Sequence, residues 1–364
     1  MAYTTINKHT AHFNTKLYTG TDASTSVTGV GFQPDWTWIK CRSNGNSNFP
    51  HILSDAVRGV NKVLKSDTTD AEVSDYSQGY LSAFDSDGFT VTGQDGTSGI
   101  GRTYASWNWK AGTTGSGTTG GSGTAKDYQY SVNTTAGFSI IKYKGNGTAG
   151  HTIPHHLGAV PKMIIVKCIE STHNWQVLHQ GLATNSGTKN LELNSTSAVL
   201  TDSTTWNNTA PTSTVFTLGS TNPTNQSSSN YNFIAYCFAE KTGYSKFGSY
   251  VGNGSSNGTF IYTGFKPSWI MVKRTDSTSD WLVCDNKRNN YSLAYTQNNF
   301  NVVNGKIFPN TNQAEEFFNS FDFLSNGLKI KTSGTGHNAS GANMIYMAFG
   351  QSLVGSNNVP CTAR

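Results

Sequence analysis

His151, His155 and His156 crowd one short stretch, and His173 and His179 follow it. Imidazoles at such density are the raw material of a metal site, which needs convergent ligands and commonly a carboxylate or thiolate among them. The equivalent stretches of the other copies contain no histidine, so the stretch reads as a loop that carries histidines, with a pH-sensitive contact as its other use. Glu315-Glu316 is the one adjacent acidic pair. Two carboxylates are what glycoside hydrolysis uses, but this pair stands outside the chain's repeated motifs. Asp85-Ser86-Asp87-Gly88 opens like a calcium loop and then runs into Phe89-Thr90-Val91, so it reads as a hairpin. Asp55 and Arg58 recur as Asp285 and Arg288, each pair after an apolar strand end, and read as an internal ion pair. No nucleophile elbow, zinc-protease helix or phosphate loop occurs. The sequence therefore offers no catalytic residue, no metal ligand set and no cofactor site, and reads as non-enzymatic.

The remaining candidates are aromatic and thiol side chains. Trp36, Trp38, Trp107 and Trp109 alternate within two strands, which puts each pair on one face and suits a core. Trp175, Trp206 and Trp281 lie in more polar surroundings and are the candidate contacts for a ligand or partner. Five cysteines are an odd number, and none forms a C-x-x-C pair. Cys41 and Cys168 follow Lys40 and Lys167 at equivalent positions, where they are candidate inter-subunit thiols.

The elements that must position these residues come in triplicate. Gly31-Phe32-Gln33-Pro34-Asp35-Trp36-Thr37-Trp38-Ile39-Lys40 returns around Pro161 and again around Pro267, at spacings of 127 and 106 residues. A short apolar strand precedes each proline, and an aromatic strand closes each copy at Trp109, Phe238 and Phe349, which lie 75, 77 and 82 residues after the prolines. Strands of four to eight residues are bounded by Gly, Asn, Ser and Asp. Met163-Ile164-Ile165-Val166 is a continuous apolar run, as in a strand covered on both faces. The expected class is all-β: three tandem antiparallel β-sandwich units, jelly-roll or lectin-like. The expected boundaries are an attachment segment 1–12, units 13–111, 137–243 and 244–350, a Gly/Ser/Thr-rich flexible linker 112–136, and a tail 351–364. Helix is expected only at Asp55–Leu64 and as one turn over Ala314–Asn319.

Composition supports this class. Charged residues are 13% of 364 and aromatics 12%, so neutral polar groups supply the solubility and the chain is not a disordered one. The net charge of +5 comes without any Lys/Arg run, which argues against nucleic acid. No apolar stretch is long enough to span a membrane, and the first residues lack a signal-peptide core.

At its Gly-Phe-x-Pro-x-Trp and Phe-x-Ser-x-Gly-Phe motifs the chain resembles a family of repeat proteins encoded by tailed bacteriophages. The resemblance runs from Phe13 to Phe349 and is carried by Gly31–Lys40, Phe84–Val91, Tyr231–Phe238 and Gly264–Lys273. The second copy lacks the Gly-Phe and Asp-Gly-Phe elements. The resemblance implies a virion component, made in the host cytoplasm and displayed on the particle. Two readings of that role follow, a tail-fibre or receptor-binding protein and a capsid decoration protein. A polysaccharide depolymerase is a third, disfavoured by the missing acid pairs. The expected partners are other virion proteins, a host cell-surface glycan and further copies of the chain in a homotrimer.

Overall fold

The computed structural model describes residues 3–43, 48–182, 186–227, 231–289 and 302–355. The chain is all-β, built of antiparallel sheets. Helix among the described residues is confined to turns of three or four residues. The same strand order occurs three times. In the first segment the opening strand Phe13–Thr19 lies beside the closing strand Thr103–Trp109. That strand pairs with the proline-motif strand Trp36–Cys41, which pairs with Ile52–Asp55. In the second segment Phe138–Lys144, Asn232–Phe238, Met163–Cys168 and Gln176–His179 follow the same order. In the third the order is Ser245–Val251, Asn343–Gln351, Lys266–Arg274 and Trp281–Asp285. The prolines thus open strands with equivalent neighbours.

Period-two alternation sends these strands' side chains to two different cores. Ile164 and Val166 face a core private to the second segment, with Trp206, Phe216 and Phe233. Met163 and Ile165 face a core that all three segments share. Private cores also form in the first segment around Ile39, Ile52 and Phe89, and in the third around Ile270, Val272 and Phe321. Smaller strands cover the private cores, such as Thr25–Thr28, Leu81–Asp85 and Gly88–Val91 in the first segment.

The shared core is aromatic. The closing residues Trp109, Phe238 and Phe349 meet in a nearly equilateral triangle, with ring centroids 6.4, 6.2 and 6.0 Å apart. Trp36 stacks on Trp109 at 4.4 Å and on Tyr236 of the second segment at 4.3 Å. Trp36, Trp38, Trp107 and Trp109 are all buried here, as the alternation predicts. Trp36→Ala is expected to cost about 3–5 kcal/mol, because the cavity opens between two segments and neither can close it alone. Urea unfolding measures this, and a loss under ~1 kcal/mol would show that Trp36 does not join them.

Several sequence expectations are corrected. The Gly/Ser/Thr run of 112–136 is no linker: Thr113–Thr118 pairs with Asp127–Asn133, which pairs with Phe138–Lys144 and extends the second segment's sheet. Its glycines make room for rings: a Cβ on Gly115 would meet Tyr130 at 2.5 Å, and one on Gly117 would meet Tyr128 at 2.8 Å. Asp55–Leu64 is not helical. Asp55 ends a strand, and its Oδ1 accepts the backbone N–H of Val57 and Arg58, which closes a turn instead. Glu316 begins the strand Glu316–Leu324, where one helical turn was expected. Within the expected attachment segment 1–12, residues 3–12 pack onto the fold: Ile6 enters the shared core and the His9 N–H donates to Gln351 at 3.0 Å. The tail beyond 355, with Cys361, lies outside the described residues.

Candidate functional site

Every copy places a buried lysine at the end of its proline-motif strand: Lys40, Lys167 and Lys273. None ends on a carboxylate. Each donates to the carbonyl of the next residue and to a carbonyl of another segment. Lys40 reaches Asn312 O at 3.1 Å, Lys167 reaches Thr69 O at 3.1 Å, and Lys273 reaches Thr196 O at 3.3 Å. Burial lowers all three ammonium groups to about 8.

Three more sets of bonds link the same three pairs of segments. His51 Nε2 donates to Phe308 O at 3.0 Å, Trp175 Nε1 to Lys65 O at 2.9 Å, and Trp281 Nε1 to Glu192 O at 2.9 Å. The N–H groups of Glu72, Val199 and Glu315 donate to the carbonyls of Ile169, Thr275 and Arg42. Tyr236 Oη donates to Asp55 at 2.8 Å, Trp107 Nε1 to Asp285 at 2.8 Å, and His179 Nε2 to Tyr346 O at 3.1 Å. Each set ties the first segment to the second, the second to the third and the third to the first.

The recurring Asp–Arg pair belongs to this ring. Arg58 bonds Asp55 at 2.5 Å and Glu72 at 3.0 Å, and Arg288 bonds Asp285 at 2.6 Å and Glu315 at 2.8 Å. The second segment puts His179, Leu182 and Val199 at those positions, so the whole ionic set is exchanged for a neutral one. Glu315 also meets Arg42 at 2.7 Å, while Glu316 pairs with Lys306 at the surface. The two acids therefore serve different structural contacts.

Trp175, Trp206 and Trp281, expected as ligand contacts, are all buried, and this corrects that reading. Two of them are the inter-segment donors above, and Trp206 Nε1 donates to Asn190 at 3.2 Å inside the second segment. Trp175 and Trp281 turn their N–H groups to main-chain carbonyls far away in sequence, and Trp206 turns its N–H to a side-chain amide oxygen, so the indoles are buried with their polar atom satisfied. Cys41 and Cys168 are buried free thiols, raised by burial, so they cannot meet a partner's thiol. The histidines do not converge: His151 bonds Asn225 and Thr119, His155 bonds Thr212 O, and His156 stacks on Tyr130 at 3.7 Å. No group of His, Cys, Asp or Glu with metal-site geometry forms among the described residues. Asp87 accepts the N–H of Gly29 and Gly31 beside a two-residue hairpin.

One group of side chains that faces outward together lies in the third segment, and none of its members was a candidate in the sequence. A cleft of about 250 Å³ is lined by Asp280, Lys306, Phe308, Phe318, Thr332 and His337, among others. Phe318 is 53% exposed. The Lys306 ammonium sits 5.2 Å from the Phe308 ring and 5.6 Å from the Phe318 ring. Asp280 accepts the Asn310 amide at 2.7 Å. His337 Nε2 is buried without a hydrogen-bond partner, and burial lowers this imidazole to about 4. Phe308 takes the ring position held by Lys65 and Glu192 in the other segments, so the cleft is peculiar to the third. The missed signal was the apolar Glu316–Leu324 strand, Glu-Phe-Phe-Asn-Ser-Phe-Asp-Phe-Leu, with adjacent phenylalanines that cannot share one face.

The match to a known family covers residues 8–352, all three segments at once. The chain belongs to the DUF7483 family. That family is described as a domain of unknown function. No curated protein and no solved structure matches the chain. No helix among the described residues is long and apolar enough to cross a membrane.

Proposed function

We propose that this is a non-enzymatic surface protein of a virion, most consistent with a tail-fibre or receptor-binding role, built from three β-sandwich units around an approximate threefold axis. The carrying observation is the closed ring: four sets of bonds, each made once per segment pair, around the Trp109–Phe238–Phe349 triangle, with the lysine set running in one rotational sense. A heterologous contact that closes after three steps is the geometry of a cyclic trimer. Here one chain supplies all three members, so the threefold multiplicity expected of a homotrimer is present within a single polypeptide. Such an assembly commits Asp55, Glu72, Asp285 and Glu315 to structural ion pairs. The phage-family resemblance of the repeated motifs is what supports putting the assembly on a particle.

Two measurements test this. The purified chain is expected to behave as a 39.2 kDa monomer, and antibody labelling is expected to find it on the outside of intact particles, at the tail. Label on the capsid shell would favour the decoration role. Absence from particles, or polysaccharide cleavage lost on Glu316→Gln, would overturn the reading.

A further inference from the structure

We propose that the third-segment cleft binds a single pyranose ring of a cell-surface polysaccharide. This deepens the adhesion part of the reading above and rests on it for its biological role.

The cleft combines features that individually favour different ligands. Phe308 and the exposed Phe318 offer aromatic faces, whose negative quadrupole attracts polarised C–H groups. Asp280 has one carboxylate oxygen on Asn310 and none of its other hydrogen bonds inside the described protein, so it can accept from a ligand hydroxyl. Thr332 and Ser279 line the same space. The His337 Nε2 is the second, independent sign: a buried polar atom without a partner is costly unless something fills its need.

An apolar ligand would desolvate Asp280, Lys306 and His337 without compensation. A charged ligand meets both an acid and a base, Asp280 and Lys306, and Lys306 is already held by Glu316 at 2.9 Å. A neutral polyol with one C–H face satisfies both the rings and the polar atoms. The volume of about 250 Å³ lies just under the ~300–1,000 Å³ of drug-sized pockets and suits one ring. Neither other segment can duplicate the site, because Lys65 and Glu192 replace Phe308 there. A threefold frame with one aromatic cleft therefore presents one sugar subsite per chain.

The test uses the purified full chain and five probes: glucose, galactose, mannose, rhamnose and N-acetylglucosamine. Saturation-transfer NMR is expected to show millimolar binding of at least one, as befits so small a ligand. The same sugar should shift the His337 ring nitrogen signals. Phe318→Ala, at an exposed position, and Asp280→Asn should each weaken binding at least tenfold while leaving the melting temperature within a few degrees. No transfer to any of the five, or binding that persists in both variants, overturns the proposal. Sugar binding by a chain that is absent from particles would sink the particle reading and leave the cleft assignment standing. A particle-bound chain that binds none of the sugars would do the reverse.

Discussion

Asp285→Ala is expected to destabilise the protein by about 3–5 kcal/mol, enough to unfold a chain of ordinary stability. Asp285 is fully buried. It bonds the Arg288 guanidinium at 2.6 Å, accepts the Trp107 indole at 2.8 Å, and holds the backbone N–H of Lys287 and Arg288. Its removal leaves Arg288 buried with only Glu315 to balance it, and it cuts a tie between the third and first segments. Trp107→Phe, which removes only the donor, should cost less, about 1–3 kcal/mol. The second segment shows how the loss can be absorbed. Replacing Asp285, Arg288 and Glu315 together by His, Leu and Val copies the neutral set at His179, Leu182 and Val199. That triple variant is expected to recover most of the stability, because the fully buried Arg288 and its two acids leave together and Arg42, which loses Glu315, still reaches solvent. Urea unfolding of the four proteins decides the matter. An Asp285→Ala variant as stable as the parent, or a triple variant no better than it, would show that the pair does not hold the ring.

Acidification from pH 6.5 to 4 is expected to unfold the protein. His51, His155 and His179 are buried, and each uses both ring nitrogens. Nε2 faces a carbonyl, of Phe308, Thr212 and Tyr346 respectively, so it must carry the proton. Nδ1 accepts an N–H from Trp38, Leu157 and Gly181. A second proton on Nδ1 would set donor against donor. Burial lowers His155 and His179 to about 4 and His51 well below its ordinary value. A base with a lowered folded pKa binds more protons when unfolded. Stability is therefore full above about 6.5 and is lost as pH falls toward 4. His155 and His179 each contribute on the order of 3 kcal/mol across that window, and His51 adds in the same direction. Asp35, raised to about 6 by burial, and Asp67, also raised, act in the opposite sense but are fewer. Tryptophan fluorescence against pH should show a cooperative loss of structure within the window. A chain still native at pH 4 would contradict this.

The all-β class is legible from residue order alone, as are the landmarks of the strand order that recurs three times. Proline before an apolar run, Asp-Gly or Asn-Gly turns and a closing aromatic strand are local signals, because strand pairing and turn geometry act over a few residues. The interior fate of Trp36, Trp38, Trp107 and Trp109 also follows from alternation. The partners do not. Arg58 reaches Glu72 across fourteen residues and Arg288 reaches Glu315 across twenty-seven, so unequal loops hide an equivalence that space restores. The Gly/Thr/Ser run of 112–136 has a linker's composition, and only the Tyr128 and Tyr130 rings lying over its glycines make it a strand. Trp175 and Trp281 sit among polar residues in sequence, yet they are buried because carbonyls of another segment receive their N–H groups. A strand's pleat tells which residues share a face. What that face meets is decided by the closure of three segments on one another, a non-local packing event that leaves no mark in the order of the residues.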